Sequence, residues 1–337
     1  MTLRVGINGF GRTGRQAFRA WFENRQSDFE IVAINRGPVA LRTHLLRYDS
    51  DYGRFPAEIV DHDDSFTVGG HEVAVFNAND PASIPWGAAD VDLVLECTGE
   101  FRDAKTAGAH LHDSVKKVII SAPAKGEDWT VIMGANQEQY DPKAHRIISA
   151  GSCTTNCVVL AVKVLHDAFN VERGFMSTIH SYTGDQNLVD GTHKDLRRAR
   201  AAALNIIPTS SGASDAVGRI IPSLAGKFDG IAFRVPTPTV SLLDLVTTLR
   251  DKPSSGAINE AFMAAASGPL KNYLHYEKDE LVSMDFKGHP ASAIHDAAST
   301  MALDGGMVKT VSWYDNEWGY SCRLTDVVAM IAERGLE

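Results

Sequence analysis

The sequence predicts an α/β protein of two domains, the first built on a parallel sheet and the second, an α+β domain, built on a mostly antiparallel or mixed sheet. The length of 337 residues suits two domains of ordinary size. In the first half, short apolar runs alternate with helix-like stretches, as in parallel sheets joined by helical crossovers. In the second half the strand-like runs are longer, and helical stretches lie among them.

Each element is predicted from a run of apolar or β-branched residues, or from helical spacing. In the first half, strands are predicted at residues 3–8, 31–35, 91–97, 117–120 and 147–148, with a helix at residues 12–23. In the second half, strands are predicted at residues 173–180, 230–235, 240–250 and 307–314, with helices at residues 212–220 and 258–267. Residues 324–334 are apolar at helical spacing, and their periodicity does not say which domain that helix packs on.

Composition and charge exclude several classes of function. The chain has 33 Lys and Arg against 42 Asp and Glu, a net charge of −9, which argues against whole-protein attraction to nucleic acid or to an anionic membrane. No run approaches the ~18 apolar residues of a membrane span, and the N-terminus lacks the apolar run of a signal peptide. Four cysteines are too few for a disulfide framework at this length. We expect a cytoplasmic protein without nucleic-acid or membrane partners.

A glycine-rich turn follows the first strand and opens the first helix. Residues 9–14 read Gly-Phe-Gly-Arg-Thr-Gly, the spacing of a dinucleotide fingerprint in its required context. Gly9 permits the tight turn, Gly11 lets the backbone approach a pyrophosphate, and Gly14 lets the helix pack on the strand. The N–H groups at the helix start favour phosphate. The motif predicts a Rossmann-type domain, with a plain glycine-rich turn as the alternative.

The residue after the second strand bears on the choice of cofactor. Arg36 stands where NAD enzymes usually carry a carboxylate for the ribose 2′-hydroxyl. A guanidinium there would bind the 2′-phosphate of NADP through charge-assisted hydrogen bonds. The alternative is a solvent-facing arginine in a protein that holds NAD through other groups. This residue alone leaves both cofactors open.

Cys153 is a candidate nucleophile, in the stretch Ser-Cys-Thr-Thr-Asn-Cys at residues 152–157. A helix is predicted to begin at this cysteine, and a thiol at a helix N-terminus ionises more readily than a free thiol. Cys157 falls one turn deeper. A metal-binding pair would need a second ligand pair, which the sequence lacks, so no metal site is predicted. Burial of both thiols as small hydrophobes suits Cys157 better than Cys153, whose neighbours are polar.

A thiol nucleophile needs a base within hydrogen-bond reach. His180 ends a predicted strand at the start of a loop, which makes it a candidate base among 12 histidines. A lone histidine is more often structural, and nothing in the sequence by itself brings His180 beside Cys153.

The densest basic cluster of this acidic chain is Lys-Asp-Leu-Arg-Arg-Ala-Arg at residues 194–200. It is either a solvated helix face or oligomer contact, or part of an anion site. In the second case, residues 209–212 and Arg234 would add hydroxyl, backbone and guanidinium donors for phosphate.

Together these motifs resemble the phosphorylating glyceraldehyde-3-phosphate dehydrogenase family over nearly the whole chain. The stretches that carry the likeness are INGFGR (7–12), SAPA (121–124), SCTTNC (152–157), KDLRRAR (194–200), RVPT (234–237) and WYDNEWGY (313–320). The cysteine hexapeptide with YDNExGY downstream is highly specific to this family and its nearest relatives. The resemblance implies a dinucleotide-binding domain at residues 1–152, a catalytic domain at residues 153–315, and a C-terminal helix at residues 316–337 that returns to the first domain.

The resemblance also implies a role for individual residues. Cys153 would be the nucleophile, and His180 would activate it and exchange the proton of the hydride step. The other assignments are Arg12, Thr13 and Ser121 at the cofactor, Asn316 at the nicotinamide carboxamide, Thr183 and Arg234 at the substrate's phosphate, Ser152, Thr154, Ser211 and Gly212 at the attacking inorganic phosphate, and Arg198 at the substrate. The implied function is reversible oxidative phosphorylation of D-glyceraldehyde 3-phosphate by a homotetramer, through a hemithioacetal and a thioester on Cys153.

Two departures from the common family pattern point toward NADP. Arg36 stands where NAD-dependent members carry an aspartate, and Gly191-Thr192 where they carry Leu-Pro beside the adenosine of a neighbouring subunit. Photosynthetic relatives that accommodate the phosphate carry a small residue and a hydroxyl at the latter position. We therefore expect NADP, alone or with NAD, with Thr192 and Arg36 as the residues that admit it.

Two alternative functions remain at this stage. One is an erythrose-4-phosphate dehydrogenase of the same fold, although Thr183 together with Arg234 favours the triose substrate. The other is a catalytically silent homologue that acts as a binding protein, which the retention of Cys153 and His180 argues against.

Overall fold

The computed structural model describes residues 2–337, which form two compact units. The first unit contains the residues up to Val131 together with Gln137–Gly151 and Ser321–Glu337. The second contains Ile132–Asn136 and Ser152–Tyr320. In this division Ser152 and residues 132–136 and 316–320 group with the second unit. The predicted domain limits stay a prediction.

The strands are short in the first unit and longer in the second. In chain order they are β1 (Leu3–Asn8), β2 (Phe29–Asn35), β3 (Tyr48–Asp49), β4 (Gly53–Arg54), β5 (Ile59–Asp61), β6 (Ser65–Val68), β7 (His71–Phe76), β8 (Leu93–Glu96), β9 (Lys117–Ile120), β10 (Trp129–Thr130), β11 (Ile147–Ser149), β12 (Val171–Ser181), β13 (Ile207–Ser210), β14 (Phe228–Val235), β15 (Ser241–Leu249), β16 (Leu274–Glu277), β17 (Ala293–Leu303) and β18 (Met307–Tyr314).

The α-helices lie between these strands and at the end of the chain. They are α1 (Arg12–Asn24), α2 (Val39–Arg47), α3 (Ala104–Ala107), α4 (Cys153–Phe169), α5 (Ala213–Ile220), α6 (Ser255–Ser267) and α7 (Trp318–Arg334). Within residues 2–337, no helix combines the length and the apolar character needed to cross a membrane.

The sheet of the first unit has the strand order β10-β11-β9-β8-β1-β2-β7-β6-β5. The strands from β10 to β7 run parallel, and β6 and β5 add an antiparallel edge. In this register the last residue of β1, Asn8, lies opposite both Asn35 and Glu96. The polar carboxyl ends of three neighbouring strands therefore meet at one edge, where parallel sheets bind ligands.

The sheet of the second unit is mixed, with the order β13-β14-β12-β15-β18-β17-β16. The pairs β12–β14 and β16–β17 are parallel and the others are antiparallel. Helix α4 lies within the core of this unit, and almost every residue from Thr154 to Leu165 is buried. These two sheets confirm the predicted fold class.

The predicted elements agree with the structure where the apolar pattern is strong. Strands β1, β9 and β18 begin and end at the predicted residues. The elements that the prediction missed are α2, α3, β3–β7, β10, β13, β16 and β17. β17 has few β-branched residues, and it forms because it pairs with β18 along most of its length. Helix α7 begins at Trp318, six residues before the predicted start, where the sequence does not yet show an apolar stripe.

Acid should destabilise the second unit through the buried histidine His295. Its ring stacks on Phe262 with centroids 3.8 Å apart, and burial lowers its pKa from an ordinary 6.5 to about 4. The unfolded chain takes up a proton that the folded protein excludes, so stability present above pH 6.5 is lost as the pH falls toward the folded pKa. One such histidine lowers the free energy of unfolding by about 2 kcal/mol at pH 5.

We therefore expect His295→Gln to shrink the difference in unfolding free energy between pH 7 and pH 5 by about 1–2 kcal/mol in urea titrations. The same change at His62, which is exposed, should leave that difference as in the wild type. An undiminished difference in the His295 variant would contradict the assignment.

Candidate active site

The glycine loop between β1 and α1 has two positions that only glycine can occupy. Gly9 has a φ of 93°, and a Cβ there would lie 2.6 Å from the amide nitrogen of Thr98. A Cβ on Gly14 would lie 2.3 Å from the carbonyl oxygen of Gly9. The loop can therefore turn back against β8 and let α1 pack directly on it.

The start of α1 is open on its outer side. Gly11 is the N-cap and makes no side-chain capping bond, and a Cβ on it would meet no atom within 4 Å. The first N–H groups of the helix are thus available to an anion. The guanidinium of Arg12, the first residue of α1, is held by Asp49 at 2.6 Å and by Asp51 at 3.3 Å. This cradle fits the pyrophosphate of a dinucleotide.

A buried polar network lies beneath the loop and was not foreseen from the sequence. The amide of Asn8 donates to Glu96 at 2.5 Å, and Asn35 donates to Asn8 at 2.7 Å. Glu96 also accepts from the amide nitrogen of Thr98 at 2.7 Å, and His110 lies 3.0 Å from it. The signal was a polar residue ending each of three apolar strands.

The two other predicted cofactor residues of the first unit lie at the carboxyl ends of its strands. Ser121 follows β9 and donates its amide N–H to the carbonyl of Glu96 at 3.0 Å. Arg36 follows β2 and pairs with Glu100, with Nη2 2.7 Å from Oε2. Both therefore lie at the sheet edge that the glycine loop also occupies.

In the second unit, α4 begins at Cys153, as the sequence predicts. Ser152 caps the helix, and its hydroxyl accepts the N–H of Thr155 at 3.0 Å. Sγ of Cys153 lies 3.5 Å from Nε2 of His180, which is 3% exposed. The structure thus brings together the two residues that the sequence alone could not connect.

The register of the sheet places Arg234 beside His180. The two residues are opposite each other in the parallel pair β12–β14. Nδ1 of His180 lies 2.7 Å from the carbonyl oxygen of Ser181 and 2.8 Å from Nη1 of Arg234. The carbonyl can only accept and the guanidinium can only donate, so the two contacts at Nδ1 favour opposite tautomers of the ring. Nη1 of Arg234 also donates to the carbonyl of Ser181 at 3.1 Å, and in the tautomer with its hydrogen on Nδ1 the lone pair of Nε2 faces the thiol.

Burial sets the protonation of the pair. It lowers the pKa of His180 to about 3, with a further lowering from the positive charge of Arg234. Burial also raises the pKa of the Cys153 thiol, against the lowering effect of Arg234 and of hydrogen bonds at the helix start. Burial of the thiol therefore opposes the ionisation that the helix start favours, and the depth of burial is not visible in the sequence. Both shifts favour the uncharged forms of the pair, while the 3.5 Å contact between Sγ and Nε2 provides the path for a proton between them.

Tyr314 is a positioning residue for which the sequence predicts no role. Its hydroxyl is bound by Thr154 at 2.9 Å and by Thr178 at 2.7 Å, and its ring meets the His180 ring edge-on at 6.1 Å. It joins α4, β12 and β18 directly beside the pair. The hydroxyl of Thr154 is buried in this contact.

Asn316 is held with a defined orientation. Its side-chain oxygen accepts hydrogen bonds from Ser181 and Ser241, both at 2.9 Å. Because two hydroxyls occupy the oxygen, the amide nitrogen is the end left for a ligand. Neither serine was singled out from the sequence.

The remaining predicted residues of the second unit lie in loops or at turns. Arg198 donates to Thr209 at 3.0 Å and pairs with Asp185. Thr183 is half-buried, and its amide N–H donates to the side-chain oxygen of Gln186 at 3.2 Å. The others are Ser211 and Gly212, which precede α5, and Thr192, which is exposed. Among residues 2–337, no group of three His, Cys, Asp or Glu side chains is arranged to hold a metal.

The chain has a thiol beside an imidazole base, and it also folds a dinucleotide-type glycine loop. These two features are typical of the class of nicotinamide-dependent oxidoreductases. Comparison with known proteins narrows this class. The NAD-binding domain of glyceraldehyde 3-phosphate dehydrogenase matches residues 3–104, and the C-terminal domain of the same enzyme matches residues 152–316. The chain belongs to the glyceraldehyde 3-phosphate dehydrogenase family.

Similar proteins extend over the whole chain. Glyceraldehyde-3-phosphate dehydrogenase 2 of Streptomyces arenae is 53% identical over 98% of this chain and 99% of its own. The glyceraldehyde-3-phosphate dehydrogenase of Geobacillus stearothermophilus is 52% identical over the full length of both. Glyceraldehyde-3-phosphate dehydrogenase 1 of Bacillus subtilis is 49% identical, also over the full length of both. These matches confirm the family resemblance drawn from the motifs.

Proposed function

We propose that this protein converts D-glyceraldehyde 3-phosphate, inorganic phosphate and NAD(P)+ to 1,3-bisphosphoglycerate and NAD(P)H, reversibly. The observation that carries the proposal is the 3.5 Å approach of the Cys153 thiol to Nε2 of His180, in a member of this family. With the ring hydrogen on Nδ1, the unprotonated Nε2 faces the sulfur, as general-base activation of a nucleophile requires.

The first chemical step uses only groups of the second unit. Sγ of Cys153 attacks the aldehyde carbon while its proton passes to Nε2 of His180. The backbone N–H at the start of α4 and the imidazolium stabilise the oxygen as charge develops on it. His180 then donates the proton to that oxygen, and a hemithioacetal forms on Cys153. The adduct matters because it has a hydrogen on the former carbonyl carbon that can leave as hydride.

The second stage oxidises this adduct. Nε2 of His180 withdraws the hydroxyl proton as hydride leaves the carbon, which converts the adduct to a thioester. When bound, the nicotinamide supplies the acceptor for that hydride. A phosphate oxygen then attacks the thioester carbon, the C–S bond breaks, and the thiolate of Cys153 recovers the proton from His180. The thiol and the imidazole end as they began.

Residues of the first unit and Asn316 are proposed to bind the cofactor. Gly9, Gly11 and Gly14 with the backbone of Arg12 and Thr13 hold the pyrophosphate, supported by the uncapped start of α1. Ser121 lies at a cofactor-contact position. The free amide nitrogen of Asn316 donates to the nicotinamide carboxamide, supported by the two hydroxyls that occupy its oxygen.

Two anion sites are proposed for the two phosphates. Arg234 and Thr183 take the substrate's phosphate, and the support is that Nε of Arg234 is buried without a hydrogen-bond partner. The inorganic phosphate is assigned to Ser152, Thr154, Ser211 and Gly212, with Arg198 nearby in the substrate site. Because the Thr154 hydroxyl is bound to Tyr314, its backbone N–H is the group we assign to this phosphate.

We further propose a cytoplasmic homotetramer. The support is apolar surface in the second unit, which carries Phe175 at 70%, Leu196 at 83% and Leu204 at 82% exposure. Contiguous apolar surface marks sites of protein association, and most soluble oligomers are built from identical chains. Light scattering of the purified protein tests the tetramer, and a monomer at assay concentrations would refute it.

The proposed function is tested by following the formation of reduced nicotinamide with glyceraldehyde 3-phosphate and phosphate. We expect turnover that depends on phosphate and exceeds that with erythrose 4-phosphate. Preference for erythrose 4-phosphate would favour the alternative dehydrogenase. No turnover with either aldehyde would favour a silent homologue.

Replacing Arg36 with aspartate should switch the cofactor. The loss of a charge-assisted hydrogen bond to the 2′-phosphate costs ~1.5–3 kcal/mol, or roughly 10–150-fold in affinity. Arg36→Asp should raise the KM for NADP+ at least that much and leave NAD+ use intact or improved, since aspartate accepts from ribose hydroxyls. The measurement is kcat/KM with each cofactor. If the ratio of kcat/KM for the two cofactors does not change, or if the wild type shows no turnover with NADP+, Arg36 does not determine the cofactor.

A further inference from the structure

Two arginines and one carboxylate meet where the chain leaves β2. Nη1 and Nη2 of Arg36 donate to the two carboxylate oxygens of Glu100 at 3.3 and 2.7 Å. Glu100 lies on the loop after β8, and its side chain is 60% exposed. The guanidinium of Arg42 packs against Gly37, where a Cβ would lie only 2.5 Å from Nη2. This group is called the Arg36 cluster below.

The Arg36 cluster carries an excess of positive charge. Partial burial, with repulsion from Arg36, lowers the pKa of Arg42. In the part of the chain that the structure describes, Arg42 forms no ion pair, and the buried Nε atoms of both arginines have no hydrogen-bond partner. Two guanidiniums beside one carboxylate favour the binding of a further anion.

The backbone holds Arg36 in an unusual conformation. Its φ is 96°, a left-handed value that costs a non-glycine residue about 1–3 kcal/mol. The amide N–H of Arg36 donates to the carbonyl of Phe76 at 3.0 Å, which fixes this turn. The side chain is therefore presented at the edge of the sheet by a constrained turn and not by a flexible loop.

We propose that Glu100 sets the balance between NADP and NAD by competing with the 2′-phosphate for Arg36, and that Arg42 is the second cation of the 2′-phosphate site. This inference rests on the proposed function and adds the residues that determine its cofactor specificity. With Arg36 on Glu100, the cluster is partly neutralised and suits a ribose hydroxyl. A 2′-phosphate draws Arg36 from the exposed carboxylate and is held by both guanidiniums.

The test measures binding of adenosine 2′,5′-bisphosphate and of AMP by calorimetry at fixed ionic strength. Glu100→Gln should increase the affinity for the bisphosphate roughly tenfold, because a negative charge beside the dianion is removed. The same variant should change the affinity for AMP by less than about threefold. Arg42→Gln should lower the affinity for the bisphosphate roughly fivefold and leave the affinity for AMP unchanged. The matched control is Glu30→Gln, which removes the carboxylate of another half-exposed ion pair of the first unit, that with Arg4 at 3.5 Å.

The outcomes separate this inference from the proposed function. If the wild type binds neither ligand, the proposed dinucleotide site fails. If it binds them and Glu100→Gln leaves their affinity ratio as in the wild type, the role of Glu100 is refuted while the dinucleotide site stands. An equal shift in Glu30→Gln would assign the effect to net charge and would also overturn the inference. An unchanged bisphosphate affinity in Arg42→Gln would remove Arg42 from the site.

Discussion

Replacing Cys153 with serine should lower kcat/KM for glyceraldehyde 3-phosphate by roughly 10⁴-fold or more, the scale on which loss of a covalent nucleophile is felt. A neutral imidazole 3.5 Å away can take a thiol proton, but an alkoxide is far harder to form near neutral pH. The thioester stage would be lost with the sulfur. The measurement is steady-state formation of reduced nicotinamide, with folding checked by circular dichroism.

Cys157→Ser is the matched control for this prediction. Cys157 lies on the same helix one turn deeper, is fully buried, and has its pKa raised well above the ordinary value by burial. The variant should be less stable, because it buries a hydroxyl, yet retain substantial activity. Equal losses in the two variants would indicate chemistry by a thiol pair and refute the assignment of Cys153 alone.

His180→Asn should slow hydride transfer by roughly 10²–10⁴-fold, the usual contribution of a general acid–base residue. The variant keeps a polar side chain beside Ser181 but removes the nitrogen that faces the thiol. It should also slow alkylation of Cys153 by iodoacetamide near neutral pH. Single-turnover measurements isolate the hydride step, and the pH profile of alkylation reports on the pair directly.

His166 provides the comparison for His180. It lies near the other end of α4, where Nε2 is 3.0 Å from the hydroxyl of Ser223. His166→Asn should leave both hydride transfer and alkylation as in the wild type. If His180→Asn left the alkylation profile unchanged, the two side chains would not act as neighbours in solution.

The parts of the fold with strong local signals could be predicted from the sequence. β1 and α1 are identified by the spacing of their apolar residues, and the turn between them by its glycines. Ser152 is a residue type favoured at the N-cap and marks the start of α4. β17 could not be predicted, because its stability comes from pairing with β18 and not from its own residues. Tertiary pairing overrides local preference in such strands.

The candidate site was predictable in its residues but not in its geometry. Cys153 and His180 are 27 positions apart, and only the docking of α4 on β12 puts them in contact. The register of β12 with β14 brings Arg234 to the same imidazole. The sign of the thiol pKa shift depends on burial, which no local motif encodes. Likewise, Glu100 has no motif that would connect it with Arg36.

The unequal burial of the four sulfurs has a consequence for labelling. Cys157 and Cys322 are buried, whereas Cys97 and Cys153 are partly exposed. Burial raises the pKa of both partly exposed thiols, that of Cys97 to about 12, but Cys153 has the base His180 3.5 Å from its sulfur. A maleimide dye at neutral pH should therefore attach at one position per folded chain and at four in denaturant. The folded protein then carries a single fluorescent reporter at the proposed nucleophile, obtained without deleting any cysteine.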